Sequence, residues 1–173
     1  MRIERESRGW SLSDLADKSG VSRAMISKIE RGEASPTAVL LGRLSGAFGL
    51  TLSNLLARAE TPSEFLRRCA DQPFWRDPET GFTRRAISPA GEAGIELVDA
   101  ELPPSARISY PASSYAFIRQ QIWVQSGMLD FREGETMKRL QAGDCLELGP
   151  PRDCSFCNPG PEPVRYLVVV VRR

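Results

Sequence analysis

The pattern of residues that punctuate the chain changes near residue 60, and this change limits the fold more than any other feature. Up to about Ala59, apolar residues recur at helical spacing between Ser and Gly residues that mark helix ends. From about Thr61, Pro and Gly turn signals separate short apolar runs, which is typical of all-β domains. The sequence therefore predicts a helical domain over residues 1–60 and an all-β domain over residues 61–173. Residues 61–73 suit either a linking helix or a first strand.

The helical part has cap residues where helices should begin. Ser11 is followed three residues later by Asp14, the spacing of a capping box, and Ser22 is placed to cap the next helix. Ser35 and Pro36 would open a third helix, with Pro at its first position. The sequence thus predicts helices over residues 12–19, 23–31, 36–48 and 51–58.

The second part contains turn signals at nearly regular intervals, among them Pro-Gly and Gly-Pro pairs. Short apolar runs lie between them, as expected for a β-sandwich or barrel. The predicted strands cover residues 82–87, 95–102, 116–124, 128–132, 145–148 and 164–171.

Composition excludes several functions. The chain has 23 Lys and Arg against 22 Asp and Glu, so any nucleic-acid contact must come from locally placed charge. It has no histidine, which excludes Ser-His-Asp and Cys-His catalysis and His-based zinc sites. Because no apolar stretch approaches the roughly 18–20 residues that span a bilayer, we expect a cytoplasmic protein without membrane contact. The four cysteines should then be reduced thiols.

Six residues of the helical part have the spacing of two closely crossing helices joined by a glycine turn: Leu15, Ala16, Gly20, Val21, Ile26 and Ile29. This pattern resembles the lambda-repressor-like (XRE-type) helix-turn-helix of bacterial transcriptional regulators, and residues 22–36 are similar to that family's recognition helix and following loop. The resemblance implies a five-helix bundle that binds duplex DNA through the major groove. It also implies a first helix that starts several residues earlier and has an apolar residue near Glu4, so we expect Met1 to lie inside that helix, in a shortened domain.

With Ile26 and Ile29 turned inward, the outward residues of the recognition helix are the candidates for base contact: Arg23, Ala24, Ser27 and Lys28. The cap residues are the candidates for phosphate contact, because free N–H groups at helix N-termini attract anions: Ser11, Ser22 and Ser35. The alternative is a plain helical bundle whose basic residues are only solvated.

The segment from about Ile108 to Arg173 resembles the cupin barrel, a double-stranded β-helix. Gly127 closes the first cupin motif, and the second is seen in Gly143-Asp144-Cys145 and Asn158-Pro159-Gly160. Metal-binding cupins place two His and a Glu in the first motif and another His in the second. Here those positions hold Gln120, Ser113 with Tyr115 or Ser114 with Ala116, and Cys154. Since these are poor ligands for divalent metals, we expect neither metal nor cofactor.

The mouth of such a barrel is still a usual place for a small organic effector. Aromatic, amide and thiol groups could line it, and the candidate pocket residues are Tyr115, Gln120, Cys154 and Phe156. Alternatively, these side chains simply fill the barrel.

The thiols and one basic segment allow other interpretations. Cys154 and Cys157 have the spacing of a redox motif, but residues three apart on a strand face opposite sides, so we favour inert thiols over a redox pair or a zinc site that includes Cys145. Trp75-Arg76-Asp77 and Arg84-Arg85 could form a nucleic-acid patch, but a turn flanked by charges that guard an edge strand is favoured.

Together these features predict a non-catalytic, sequence-specific DNA-binding transcriptional regulator. Pairing of two barrels into a homodimer would give a pseudo-palindromic operator, and a small effector would bias the arrangement. The alternatives are a protein-interaction module with a degenerate cupin and an atypical cupin enzyme.

Overall fold

The computed structural model describes residues 1–52, 55, 66–89 and 94–172. Its helices are α1 (Arg2–Ser7), α2 (Leu12–Ser19), α3 (Arg23–Glu30) and α4 (Ala38–Phe48). The described residues thus contain four α-helices where five were expected. The helix predicted over residues 51–58 falls mostly outside the described residues, although Leu52 and Leu55 have helical backbone. The predicted domain boundary near residue 60 also lies outside them.

The predicted caps are confirmed for two helices and wrong for a third. The Ser11 hydroxyl accepts from the backbone N–H of Asp14, and the Asp14 carboxylate accepts from that of Ser11, which completes the capping box of α2. Ser22 caps α3. Ser35 caps nothing, because α4 begins at Ala38 behind the cap residue Thr37. A long-range contact fixes this later start, since a carboxylate of the β-domain accepts the first N–H of α4.

In the part of the chain that the structure describes, ten strands follow a short 3₁₀ turn at Cys69–Asp71. Of residues 61–73, for which a linking helix or a first strand was considered, residues 61–65 lie outside the described residues. The strands are β1 (Phe74–Arg76), β2 (Thr83–Ala86), β3 (Ile95–Leu102), β4 (Arg107–Tyr110), β5 (Ile118–Ser126), β6 (Met128–Glu133), β7 (Thr136–Gln141), β8 (Cys145–Glu147), β9 (Cys154–Cys157) and β10 (Val164–Arg172). The six predicted strands are confirmed within two residues at each end.

The strands form two antiparallel sheets, with orders β1-β2-β3-β10-β5-β8 and β4-β9-β6-β7. This is a double-sheet arrangement rather than one continuously closed barrel. Inward residues of both sheets form one core, at whose centre the Phe156 ring stacks on Tyr166 and meets Phe131 and Tyr110 edge-on. Asn158 is fully buried at the turn into β10, where its amide donates to two backbone carbonyls.

The helical domain has its own core, in which Leu15, Ile26 and Leu44 are completely buried. Burial of each such side chain contributes about 1.5–3 kcal/mol. Helix α4 also contacts β4 and the 3₁₀ turn at Ala112–Tyr115, so it belongs to both domains. Among the described residues, no helix reaches the length and apolarity that crossing a bilayer requires.

Candidate functional site

Helix α3 presents most of the predicted base-contact residues to solvent. Arg23, Ala24 and Lys28 are exposed, whereas Ile26 is buried against α2 and α4. Ser27 is half-buried, and its hydroxyl accepts a hydrogen bond from the Arg31 guanidinium, which also pairs with a glutamate at 2.6 Å. A basic side chain therefore covers Ser27. Arg31, which lies one helical turn beyond Ser27, was not among the predicted contact residues.

The three serines predicted to contact phosphate differ in their hydrogen bonds and in their position relative to helix ends. Ser22 is exposed and accepts the Met25 N–H at 3.3 Å, so its own hydroxyl hydrogen is free to donate to an anion. The Ser11 hydroxyl already donates to the Asp14 carboxylate at 2.7 Å, and that carboxylate puts negative charge at the N-terminus of α2. Hydrogen bonds from Ser11 lower the pKa of Asp14 and keep it charged. Ser35 is exposed but is not at a helix end. The geometry thus favours Ser22.

A partly buried ion pair, which no sequence pattern indicated, ties α1 to the end of α3. The Arg5 guanidinium donates to both Glu30 carboxylate oxygens, at 2.9 and 2.8 Å, and to the Trp10 carbonyl at 2.8 Å. Only 11% of the Arg5 side chain and 7% of the Glu30 side chain are exposed. The hydrogen bonding of Arg5 to the Glu30 carboxylate is the main reason why the pKa of Arg5 is raised. The pair fixes the C-terminal end of α3 relative to α1.

Helix α1 has a paired polar side chain where an apolar residue was expected, near Glu4. Met1 is the cap residue of α1 rather than part of the helix. Glu4 is buried and pairs with Arg8. The Arg8 guanidinium lies 5.6 and 5.3 Å from the ring centroids of Trp10 and Phe48, which stack on each other at 5.7 Å. This stack joins the loop between α1 and α2 to the end of α4.

A cavity of about 40 Å³ lies between the two sheets and α4. Three of the four predicted pocket residues line it, namely Tyr115, Gln120 and Phe156. Helix α4 and the residues after it form another part of the wall through Gly42, Ser45, Thr51 and Leu52. The pocket predicted in the β-domain is therefore shared with the helical domain.

Cys154, the fourth predicted pocket residue, is not among the cavity-lining residues. Its buried thiol lies 2.9 Å from the Tyr115 hydroxyl, with which it forms a hydrogen bond. Burial raises the pKa of Cys154 to about 12, so the thiol is protonated at neutral pH and is a poor nucleophile. Cys157 is half-buried on the same strand, and Cys145 is exposed in the other sheet. This separation favours the interpretation as inert thiols.

Arg84 and Arg85 do not guard an edge, because β2 lies between β1 and β3. Arg85 covers the Phe74 ring at 5.1 Å, whereas Arg84 lines the cavity. The inward position of Arg84 could have been predicted from the sequence, since Arg84 is two residues from buried Phe82 and therefore lies on the same face. The turn predicted after Trp75-Arg76 is confirmed, but Asp77 in it is buried and caps α4.

Comparison with known proteins identifies the helical domain. Residues 1–55 match the model of the HTH_3 helix-turn-helix family. The match covers the helical part of the chain only. The transcriptional regulator SutR of Escherichia coli is 41% identical over 63 residues, which are 35% of this chain and 35% of that protein. An uncharacterised helix-turn-helix regulator of Mycobacterium tuberculosis is 41% identical over 76 residues, 42% of this chain and 30% of that protein. The aligned regions span about a third of these relatives.

The fold of the whole chain has solved counterparts. A helix-turn-helix transcriptional regulator from Vibrio cholerae superposes with a TM-score of 0.77 over 99% of this chain and 92% of that one, at 22% identity. The Cnp3 cupin domain of Schizosaccharomyces pombe has a TM-score of 0.52 at 14% identity, covering 68% and 83% of the two chains. The β-rich domain therefore has cupin neighbours. The resemblance to XRE-type regulators with a C-terminal cupin domain is confirmed.

Proposed function

We propose that the protein is a sequence-specific DNA-binding transcriptional regulator. The observation that carries the proposal is the exposed basic face of α3, with Arg23 and Lys28, in a domain that matches the helix-turn-helix family. In such domains this helix enters the major groove, where Arg and Lys donate to guanine and a methyl group such as that of Ala24 meets thymine. Relatives named as transcriptional regulators support the same role.

Ser22 is the proposed phosphate contact beside this face. Its free hydroxyl hydrogen and the N-terminus of α3 point to the same side, and both favour an anion. Ser27 would contribute to the interface mainly through the Arg31 side chain that covers it. Ser11 and Ser35 remain weaker candidates for the reasons given above. With chromosomal DNA as its partner, the protein would act in the cytoplasm.

We further propose that the chain divides into two domains near residue 60 and that the second domain is a cupin barrel. We also propose that the protein forms a homodimer through this β-domain. The outward face of the six-stranded sheet supports dimerisation because it carries an apolar band across three neighbouring strands: Ile95, Leu97, Trp123, Leu167, Val169 and Val171. Ile95, Trp123 and Val171 are 54%, 45% and 40% exposed. Pairing there would present two α3 helices to half-sites about 34–36 Å apart. Val169→Lys should then give monomers in analytical ultracentrifugation.

The role we propose for the β-domain is binding, not catalysis. The chain has no histidine, and the best-placed nucleophile, Cys154, is buried and protonated. The shared cavity is instead a place where a small effector could bind. Its binding would affect the helical domain, because α4 forms part of the cavity wall.

The test is fluorescence anisotropy of the full chain on duplex DNA from its own upstream region and on random duplex, at several salt concentrations. We expect preferential binding to the upstream duplex and a steep salt dependence, because each neutralised phosphate adds about 0.9 to the log–log slope. Arg23→Ala should cost about 1–3 kcal/mol and relax one base preference. Lys138→Ala on exposed β7 is the matched control and should bind like the wild type.

Two results would contradict the proposal. Equal, weak binding to both duplexes would remove sequence recognition. Normal binding by Arg23→Ala and Lys28→Ala together would show that α3 is not the reading helix. An interaction of the helical domain with another protein that is insensitive to salt, and not displaced by duplex, would favour the protein-interaction module.

A further inference from the structure

The cavity between the sheets and α4 is small, and its chemistry is specific. Its volume of about 40 Å³ corresponds to roughly three water molecules. A ligand of about that many non-hydrogen atoms fits without movement of the walls. A larger ligand would have to extend toward the open side of the cavity or displace Gly42 and Ser45 of α4.

One polar group in the wall has an unused hydrogen. The Tyr110 hydroxyl is buried, and the Arg84 guanidinium approaches its oxygen only with poor hydrogen-bond geometry. No group among the described residues accepts the hydroxyl hydrogen. Leaving a buried hydroxyl hydrogen without an acceptor is unfavourable, so a ligand that accepts its hydrogen bond is favoured. Burial raises the pKa of Tyr110, so the hydroxyl keeps the hydrogen that it would donate. The site therefore favours a ligand that accepts a hydrogen bond.

A positive charge lies beside this hydroxyl. Arg84 lines the same cavity, and its guanidinium partly offsets the rise in the pKa of Tyr110, Tyr115 and Tyr166. Among the described residues, no carboxylate lies within ion-pair distance of Arg84. A half-buried guanidinium presents planar donors that match two oxygens of one anion. Apolar side chains such as Phe82, Phe156 and Val168 form much of the remaining wall.

We propose that this cavity binds a small monocarboxylate, of formate or acetate size, whose oxygens accept from Arg84 and Tyr110. A cation is disfavoured by Arg84, and a neutral amide of the same shape would leave the guanidinium unpaired. The methyl or hydrogen end of the ligand would face the apolar wall.

Binding would be coupled to α4, and this half of the proposal rests on the regulatory function proposed above. Gly42 packs directly on the Tyr110 ring, so closely that a Cβ there would lie 2.8 Å from ring carbon Cδ1. The Gly42 carbonyl also accepts from the Ser114 hydroxyl at 3.0 Å. The opposite face of α4 packs Leu41 and Leu44 against the buried Ile26 of α3. Any shift of Tyr110 on binding therefore reaches the helical domain through α4.

The test is isothermal titration of the full chain with sodium acetate and formate in the absence of DNA, with acetamide as the neutral isostere. We expect both anions to bind and acetamide not to bind. Arg84→Gln should weaken acetate binding about tenfold or more, because it removes a charge-assisted pair. Tyr110→Phe should weaken it several-fold while keeping the ring that packs on α4. Arg85→Gln changes the neighbouring, outward arginine and should bind acetate like the wild type.

Anisotropy on the upstream duplex, with and without saturating acetate, then tests the coupling separately. A several-fold change in DNA affinity that Arg84→Gln abolishes supports it. Absence of acetate binding, equal binding of acetamide, or unchanged acetate affinity in both Arg84→Gln and Tyr110→Phe would overturn the ligand assignment whatever the DNA result. Acetate binding without any effect on DNA affinity would overturn only the coupling, and failure of DNA binding would count against the regulatory function alone.

Discussion

Removal of Arg5 tests whether the partly buried ion pair holds the helical domain together. Arg5→Met keeps a side chain of similar length but leaves the Glu30 carboxylate without the two hydrogen bonds that it accepts at 2.8–2.9 Å. Breaking a fully buried pair costs about 3–5 kcal/mol. Because this pair lies under one short helix, α1, and not deep in a core, we expect a smaller loss of about 2–3 kcal/mol. For a protein of this size each kcal/mol lowers Tm by about 2–4 °C.

The assay is thermal and urea unfolding followed by circular dichroism, combined with anisotropy on the upstream duplex. Arg2→Met is the matched control, since it lies on the same helix and its pair with Glu6 is exposed, with 69% and 50% of the two side chains accessible. It should change stability little. Arg5→Met/Glu30→Met should recover much of the loss, because it leaves no unpaired buried charge. If Arg5→Met unfolds like Arg2→Met, the pair does not hold α1 against α3.

Four further predictions test other contacts. Gly46→Ala should destabilise the protein although Ala favours helices, because its Cβ would lie 3.0 Å from a backbone carbonyl oxygen of the β-domain. Urea unfolding would show whether the free energy of unfolding falls. Cys154 should resist alkylation in the folded protein while exposed Cys145 reacts, as mass spectrometry would show. Since burial raises the pKa of Cys154 from 9.0 to about 12, its contribution to stability should be lost only as pH rises above 9. Ser22→Ala should weaken DNA binding more than Ser11→Ala, whose hydroxyl is already engaged.

Local signals were sufficient to predict much of the fold. Ser11 and Ser22 cap helices because their hydroxyls satisfy nearby N–H groups, an interaction that needs no distant partner. The strands 95–102 and 164–171 were predicted from uninterrupted apolar or alternating runs, and they form the central pair of the larger sheet. Strand Thr136–Gln141 was missed because it is an edge strand with one buried side chain, Leu140, so its sequence lacks alternation.

Long-range contacts account for what the sequence could not predict. Arg5 and Glu30 are 25 residues apart, and nothing in either segment marks them as partners. Helix α4 was predicted to begin at Pro36. It begins at Ala38, because Asp77, 39 residues away, accepts the Ala38 N–H at 3.3 Å. The pocket was predicted from the β-domain alone, so the contribution of α4 to its wall was not foreseen.

Helix α4 explains why the two domains should act as one unit. One face of it carries Leu41, Leu44 and Phe48 into the core that supports α3, so it cannot move without disturbing α3. The other face carries Gly42 and Gly46, whose missing side chains let the β-domain approach within van der Waals contact. A flexible tether between two independent domains would need neither glycine. Close packing of this kind transmits small displacements, because well-packed interfaces shift between discrete arrangements and do not deform continuously. A ligand at Tyr110 therefore needs to move its ring only slightly to change how α4 sits under α3.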